Sequence, residues 1–139
     1  MADFNYTLTL KAIGEGAVDL TGATIKIVLC TAAYTADQDL DEFLDDIPGG
    51  AQKATATLAG KSFTGAAFDA TDALFTAPTP GDTITQAVIY KDTGVAGTSR
   101  LIRKISASTY AGFPCLTSGS DLSLVWPNDT NKIFKFVNA

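Results

Sequence analysis

The 139-residue chain predicts a mainly β fold, an antiparallel β-sandwich or barrel with one short α-helix over about residues 36–47. Three observations carry that expectation. Apolar and β-branched residues alternate with polar ones along much of the chain, turn-forming residues interrupt them about every eight to twelve positions, and helical spacing occurs once, after Thr35. The length suits one sandwich domain over 1–139, large enough to bury about two thirds of its unfolded surface. Residues 1–12 are set apart as an extended N-terminal arm.

Phe4, Tyr6, Leu8 and Leu10 alternate with Asn5, Thr7 and Thr9, the period of a strand or an extended arm. A helix here would have to run on through Lys11-Ala12-Ile13, against two threonines and the nearby Gly14 and Gly16. Such an arm packs on its own sheet or reaches a neighbour. After Gly22 comes a core strand, Thr24 to Thr31, with Ile25, Ile27 and Leu29 on one face and Lys26 and Val28 on the other. Thr35-Ala36-Asp37-Gln38 has the form of a capping box. Leu40, Phe43, Leu44 and Ile47 follow at the spacing of one helical face, and Pro48-Gly49-Gly50 stops it. The opposite face collects Asp37, Asp39, Asp41, Glu42, Asp45 and Asp46. A calcium loop fails on this stretch, because Glu42 stands where the loop needs glycine and Pro48 where it needs a bidentate glutamate.

From Ala51 onward short β candidates follow one another: Ala54 to Leu58, Ser62 to Thr64, the region of Phe68, and Ala73 to Ala77 before Pro78-Thr79-Pro80-Gly81. Thr83 to Ser108 reads as a hairpin. Its first strand, around Ala87-Val88-Ile89-Tyr90, is wholly polar on neither face, which places it inside a sheet rather than at its rim. The turn-rich Asp92 to Ser99 leads to the second strand, where Leu101 and Ile105 share a face with Arg103, and Arg100, Ile102 and Lys104 share the other. This strand carries the densest positive charge of the chain. Thr109 to Ser120 reads as a surface loop with Tyr110 and Phe113 as aromatic anchors. A closing hairpin is expected from Asp121 to Trp126 and from Ile133 to Val137, with Trp126 in the core.

The formal net charge is −5, and residues 1–70 hold ten acids and four bases while 71–139 hold five acids and six bases. An acidic balance argues against nucleic acid as a partner, since phosphate binding needs a basic footprint. The N-terminus lacks a charged start followed by an apolar run, and no apolar stretch approaches the about 20 residues of a membrane span, so folding in the cytosol without a membrane partner is expected. Cys30 and Cys115, far apart, read as reduced thiols that cannot build a zinc site alone. The chain contains no histidine, which removes the usual general base and the usual nucleophile partner. Gly14-Glu15-Gly16 lacks the further glycine or lysine of a phosphate-cradling loop. No catalytic residue, cofactor or metal is therefore expected. Two classes remain: a structural module of a protein lattice, or a recognition module for glycan or receptor. The residues that offer a contact surface are Phe4 and Tyr6 of the arm, Arg100, Arg103 and Lys104 of the charged strand, and Tyr110 and Phe113 of the loop.

Several blocks, in order, carry a resemblance: Phe43-Leu44-Asp45-Asp46-Ile47-Pro48-Gly49-Gly50-Ala51, then Phe68-Asp69-Ala70, then Val88-Ile89-Tyr90-Lys91-Asp92-Thr93-Gly94, then Trp126 with Asn131-Lys132-Ile133-Phe134-Lys135. Together they resemble a family of small virion proteins of tailed bacteriophages, the capsid cement or decoration proteins, from about Thr24 to the chain's end. The N-terminal stretch departs from that pattern, because Phe4 to Leu10 alternates where the family has a more helical, charged segment. The resemblance implies a jelly-roll-like sandwich on the outer capsid surface of the virion, made in the host cytoplasm. It implies the major capsid protein and further copies of the chain, as homodimer or homotrimer, as partners, and it carries over no active residue. A tail or fibre protein with a receptor- or glycan-binding sandwich is the alternative.

Overall fold

The computed structural model describes residues 3–106, 112–129 and 132–136. In chain order the elements are β1 (Phe4–Asn5), α1 (Thr7–Gly14), β2 (Ile25–Cys30), β3 (Gln52–Thr57), β4 (Ser62–Thr64), β5 (Ala67–Asp69) and β6 (Ala73–Phe75). There follow β7 (Thr83–Ile84), β8 (Gln86–Lys91), β9 (Leu101–Ile105), β10 (Cys115–Leu116), β11 (Leu122–Leu124) and β12 (Phe134–Lys135). The result is a mixed fold dominated by antiparallel strands, with one short helix among the described residues. Its strands lie in separate sheets. The largest runs in the order β1-β9-β8-β2-β3, and smaller ones pair β10 with β7, β11 with β6, and β12 with β5 and β4.

β8 sits at the middle of the large sheet, as its two apolar faces require. Val28 of β2 faces Val88 and Ile27 faces Ile89, so alternate residues of both strands point to opposite sides. Each side has its own core. On one, Ile25, Ile27, Leu29, Ala87, Ile89 and Ile105 pack with Phe68, Phe75, Trp126 and Phe134 from the small-sheet region. On the other, Val28, Cys30, Val88, Tyr90 and Leu101 pack with Tyr6, Tyr34, Ile47 and Ala51. Trp126 is core as expected, its indole N–H donating to the Thr71 carbonyl at 3.2 Å. Cys30 and Cys115 are both free thiols.

Four expectations need correction. The helix expected over about 36–47 is absent; only Leu44–Asp46 forms a single 3-10 turn, and Leu40 is exposed. The helix lies instead at Thr7–Gly14, where an extended arm was expected, because Thr9 and Ala12 at helical spacing are the residues that become buried. The strict alternation of the charged strand is broken by a bulge: Ile89 faces Arg103 but Tyr90 faces Leu101, so Ile102 is the extra residue. Leu101 and Ile105 thereby enter different cores. The closing hairpin does not form either, since β11 pairs with β6 and β12 with β5.

Candidate interaction surface

At the β1 edge the chain brings four of the proposed contact residues together. Phe4 faces Lys104 and Asn5 faces Arg103 across the β1–β9 ladder. Arg103 donates from Nη1 to Asn5 Oδ1 at 2.9 Å, which fixes the guanidinium along the edge. Lys104 is 2% exposed, with Nζ 4.9 Å from the centre of the Phe4 ring. Burial holds its ammonium below the ordinary lysine range. Phe4 meets Tyr6 edge-on, ring centres 5.2 Å apart. Tyr6, fully buried, lies 2.8 Å from the Tyr34 hydroxyl, and Tyr34 donates to Asp41 Oδ2 at 2.7 Å. Because Tyr34 spends its proton on Asp41, Tyr6 is the donor between the two phenols. Burial pushes both phenols above their ordinary range, and the Asp41 carboxylate adds to it.

The acidic segment folds over this edge as a loop tied by its own carboxylates. Asp37 Oδ1 accepts the amides of Asp39 and Leu40 at 3.0 and 3.1 Å. Asp41 Oδ2 accepts the Asp37 amide at 2.9 Å, and Asp46 Oδ2 accepts those of Glu42 and Phe43 at 2.7 and 3.0 Å. These bonds use the N–H groups that a helix would have needed. Outside ties complete the fixation: the Thr7 amide donates to the Gln38 carbonyl at 3.0 Å, and the Thr7 hydroxyl to Asp39 at 2.7 Å. Arg100 donates from Nη1 to Glu42 Oε1 at 2.6 Å while its guanidinium lies 5.0 Å above the Phe43 ring. The loop therefore holds one conformation with Leu40, 76% exposed, standing between Asp39 and Asp41.

Of the residues expected to form a contact surface, Phe4, Tyr6, Arg103 and Lys104 meet at the β1 edge, and Arg100 ties the acidic loop to the start of β9. Tyr6 and Lys104 lie buried inside the chain rather than on its surface. Phe113 is elsewhere, half-buried beside a small apolar cavity lined by Leu29, Phe75, Ile84 and Cys115. Tyr110 lies outside the described residues. Leu40 was missed as a surface residue because its spacing from Phe43, Leu44 and Ile47 matches a buried helical face. The signal against that reading was the aspartate on each side of it. No protein-family model matches the chain, and no curated protein does.

Among the described residues no group of three or more cysteines and carboxylates is placed to hold a metal ion, and no helix is long and apolar enough to cross a membrane. Burial pushes the Cys30 thiol up to about 12, which favours its protonated form at neutral pH. What the surface offers is an apolar side chain on a fixed, acidic support.

Proposed function

We propose that this chain is a structural virion protein, not an enzyme, that binds the outer surface of a tailed-phage capsid and cements neighbouring capsomers. The three small sheets are then the interrupted second layer of a jelly-roll-like sandwich. The observation that carries the reading is Leu40, held out in a pinned acidic loop beside the Phe43 to Ala51 block of the virion-protein resemblance. A preorganised apolar knob in a frame of carboxylates suits a partner with an apolar hole and a basic rim, and loses little ordering entropy on docking. Nucleic acid and anionic membrane are poor fits to such a surface, and the major capsid protein is the partner assigned to it.

Cementing works by mass action. A chain that binds the assembled shell and not its dissociated subunits stabilises the shell in proportion to the logarithm of its concentration over its dissociation constant. Particles made without the protein are expected to lose heat and osmotic resistance, and added wild-type protein to restore it. Leu40→Asp is expected to fold normally, as judged by its unfolding transition, yet fail to restore resistance. Particles of unchanged resistance that no longer adsorb to the host would favour the tail or fibre alternative. A copy number of tens rather than hundreds per virion would point the same way.

A further inference from the structure

We infer that the cleft between the turn at 32–35 and the start of β8 binds a small neutral polyhydroxy compound, received by Gln86. The inference rests on neither the Leu40 loop nor the shell-binding reading. The cleft measures about 250 Å³ and is lined by Ala32, Tyr34, Thr35, Thr85, Gln86 and Ser106. Its walls are tied together. The Tyr34 amide donates to the Thr31 carbonyl at 3.3 Å, and the Thr85 amide to the Cys30 carbonyl at 3.0 Å, so the turn is closed and anchored beside β8. Gln86 is wholly buried, and its Nε2 donates to the carbonyls of Thr31 at 3.0 Å and Tyr34 at 2.7 Å. Two acceptors at the nitrogen fix which way the amide is turned, and Oε1 is the atom it keeps for the cleft. Among the described residues no donor reaches that oxygen. A buried acceptor left in this way carries a desolvation penalty that a donor from outside relieves.

The lining selects the class of donor. It contains no charged side chain, and Asp3, whose Oδ1 accepts the Ser106 amide at 2.6 Å, is not part of it. An anion meets an amide oxygen there and no cationic donor. A cation is also opposed, because Lys104, which faces Val88, lies on the side of the sheet that Gln86 shares. A neutral hydroxyl fits. It donates to Oε1, and further hydroxyls of the same molecule exchange bonds with those of Thr35 and Thr85, which both donate and accept. The volume falls short of the about 300 Å³ at which drug-sized sites begin, so one small molecule fills it. So few heavy atoms give a weak complex, with a dissociation constant on the order of millimolar.

The test is a titration of the full chain followed by nuclear magnetic resonance, with glycerol in one arm and methyl α-glucoside in the other. At least one of them is expected to shift the Gln86 side-chain carbonyl carbon and the backbone amides of Thr85 and Ser106, and to do so saturably. The tighter of the two says whether an open-chain polyol or a sugar ring is the source. Ammonium chloride and sodium acetate at equal concentration are expected to leave those signals in place. Thr85→Val removes a hydroxyl and keeps a branched strand residue, so binding should weaken by about tenfold. Ala32→Trp fills the mouth of the cleft and should abolish binding. Neither variant touches the Gln86 bonds, and both should keep the cooperative unfolding transition. Signals that neither compound moves saturably would overturn the inference, as would an equal response to ammonium or binding that survives Ala32→Trp. Saturation that leaves the Gln86 carbonyl carbon unmoved would overturn it too, since the ligand would then sit elsewhere.

Discussion

Tyr34 closes the second core with a hydroxyl rather than a methyl. It stands between the buried Tyr6 phenol and the Asp41 carboxylate, so one oxygen accepts from the first and donates to the second. Tyr34→Phe leaves the buried Tyr6 phenol without its partner and Asp41 Oδ2 with the Asp37 amide alone, and is expected to cost about 1–3 kcal/mol in a denaturant titration. The same pair sets a response to alkali. Their folded-state affinity for the proton exceeds that of the unfolded chain, so the stability they give is complete below about pH 10 and is lost as pH rises above it. Cys30 acts in the same sense from about pH 8.5, and Lys104, held low by burial, in the opposite one. Comparison with Tyr34→Phe isolates the tyrosines: above about pH 10 the variant should lose stability less steeply than the wild type. An equal slope in the two proteins would refute this assignment.

The acidic loop shows what decides an element when two local patterns compete. Its apolar spacing is helical, but aspartates cap the backbone amides from within, and each such bond offers the chain an alternative to the helix. Asp46 holds two of those amides, so Asp46→Ala is expected to destabilise the protein by about 1–2 kcal/mol and to open the Pro48 side of the loop to limited proteolysis. Strands whose two faces are both apolar, β2 and β8, were legible because burial on both sides leaves few other readings. α1 was not, since Phe4 to Leu10 fits a two-residue period until tertiary packing selects Thr9 and Ala12. Nor was the closing hairpin, because adjacency in sequence says nothing about the older partners, β5 and β6, that claim β12 and β11. The position of the charged cluster was legible but its partners were not: Glu42 lies 58 positions from Arg100, and Asn5 lies 98 from Arg103.

At the scale of the molecule, the large sheet is a partition. The tyrosine-rich core and the phenylalanine-rich core touch opposite sides of β2 and β8, so truncations in one are expected to add to those in the other. That arrangement creates a problem of identity for β2. Apart from Lys26 every residue from Ile25 to Cys30 is buried and apolar, so a slide of one position would exchange the contents of the two cores while leaving the strand just as greasy. Lys26 is the index mark. Its Nζ reaches Asp92 at 3.0 Å, and the Asp92 carboxyl is itself held below its ordinary range by the Gly94 amide and then by Lys26. The ion pair is half in water and contributes no more than about 1 kcal/mol. Lys26→Leu is therefore expected to leave the unfolding midpoint almost unchanged and yet to double amide cross-peaks from β2 and its neighbours in a nitrogen–proton spectrum. A single set of peaks would mean that the flanking turns alone keep the strand in step.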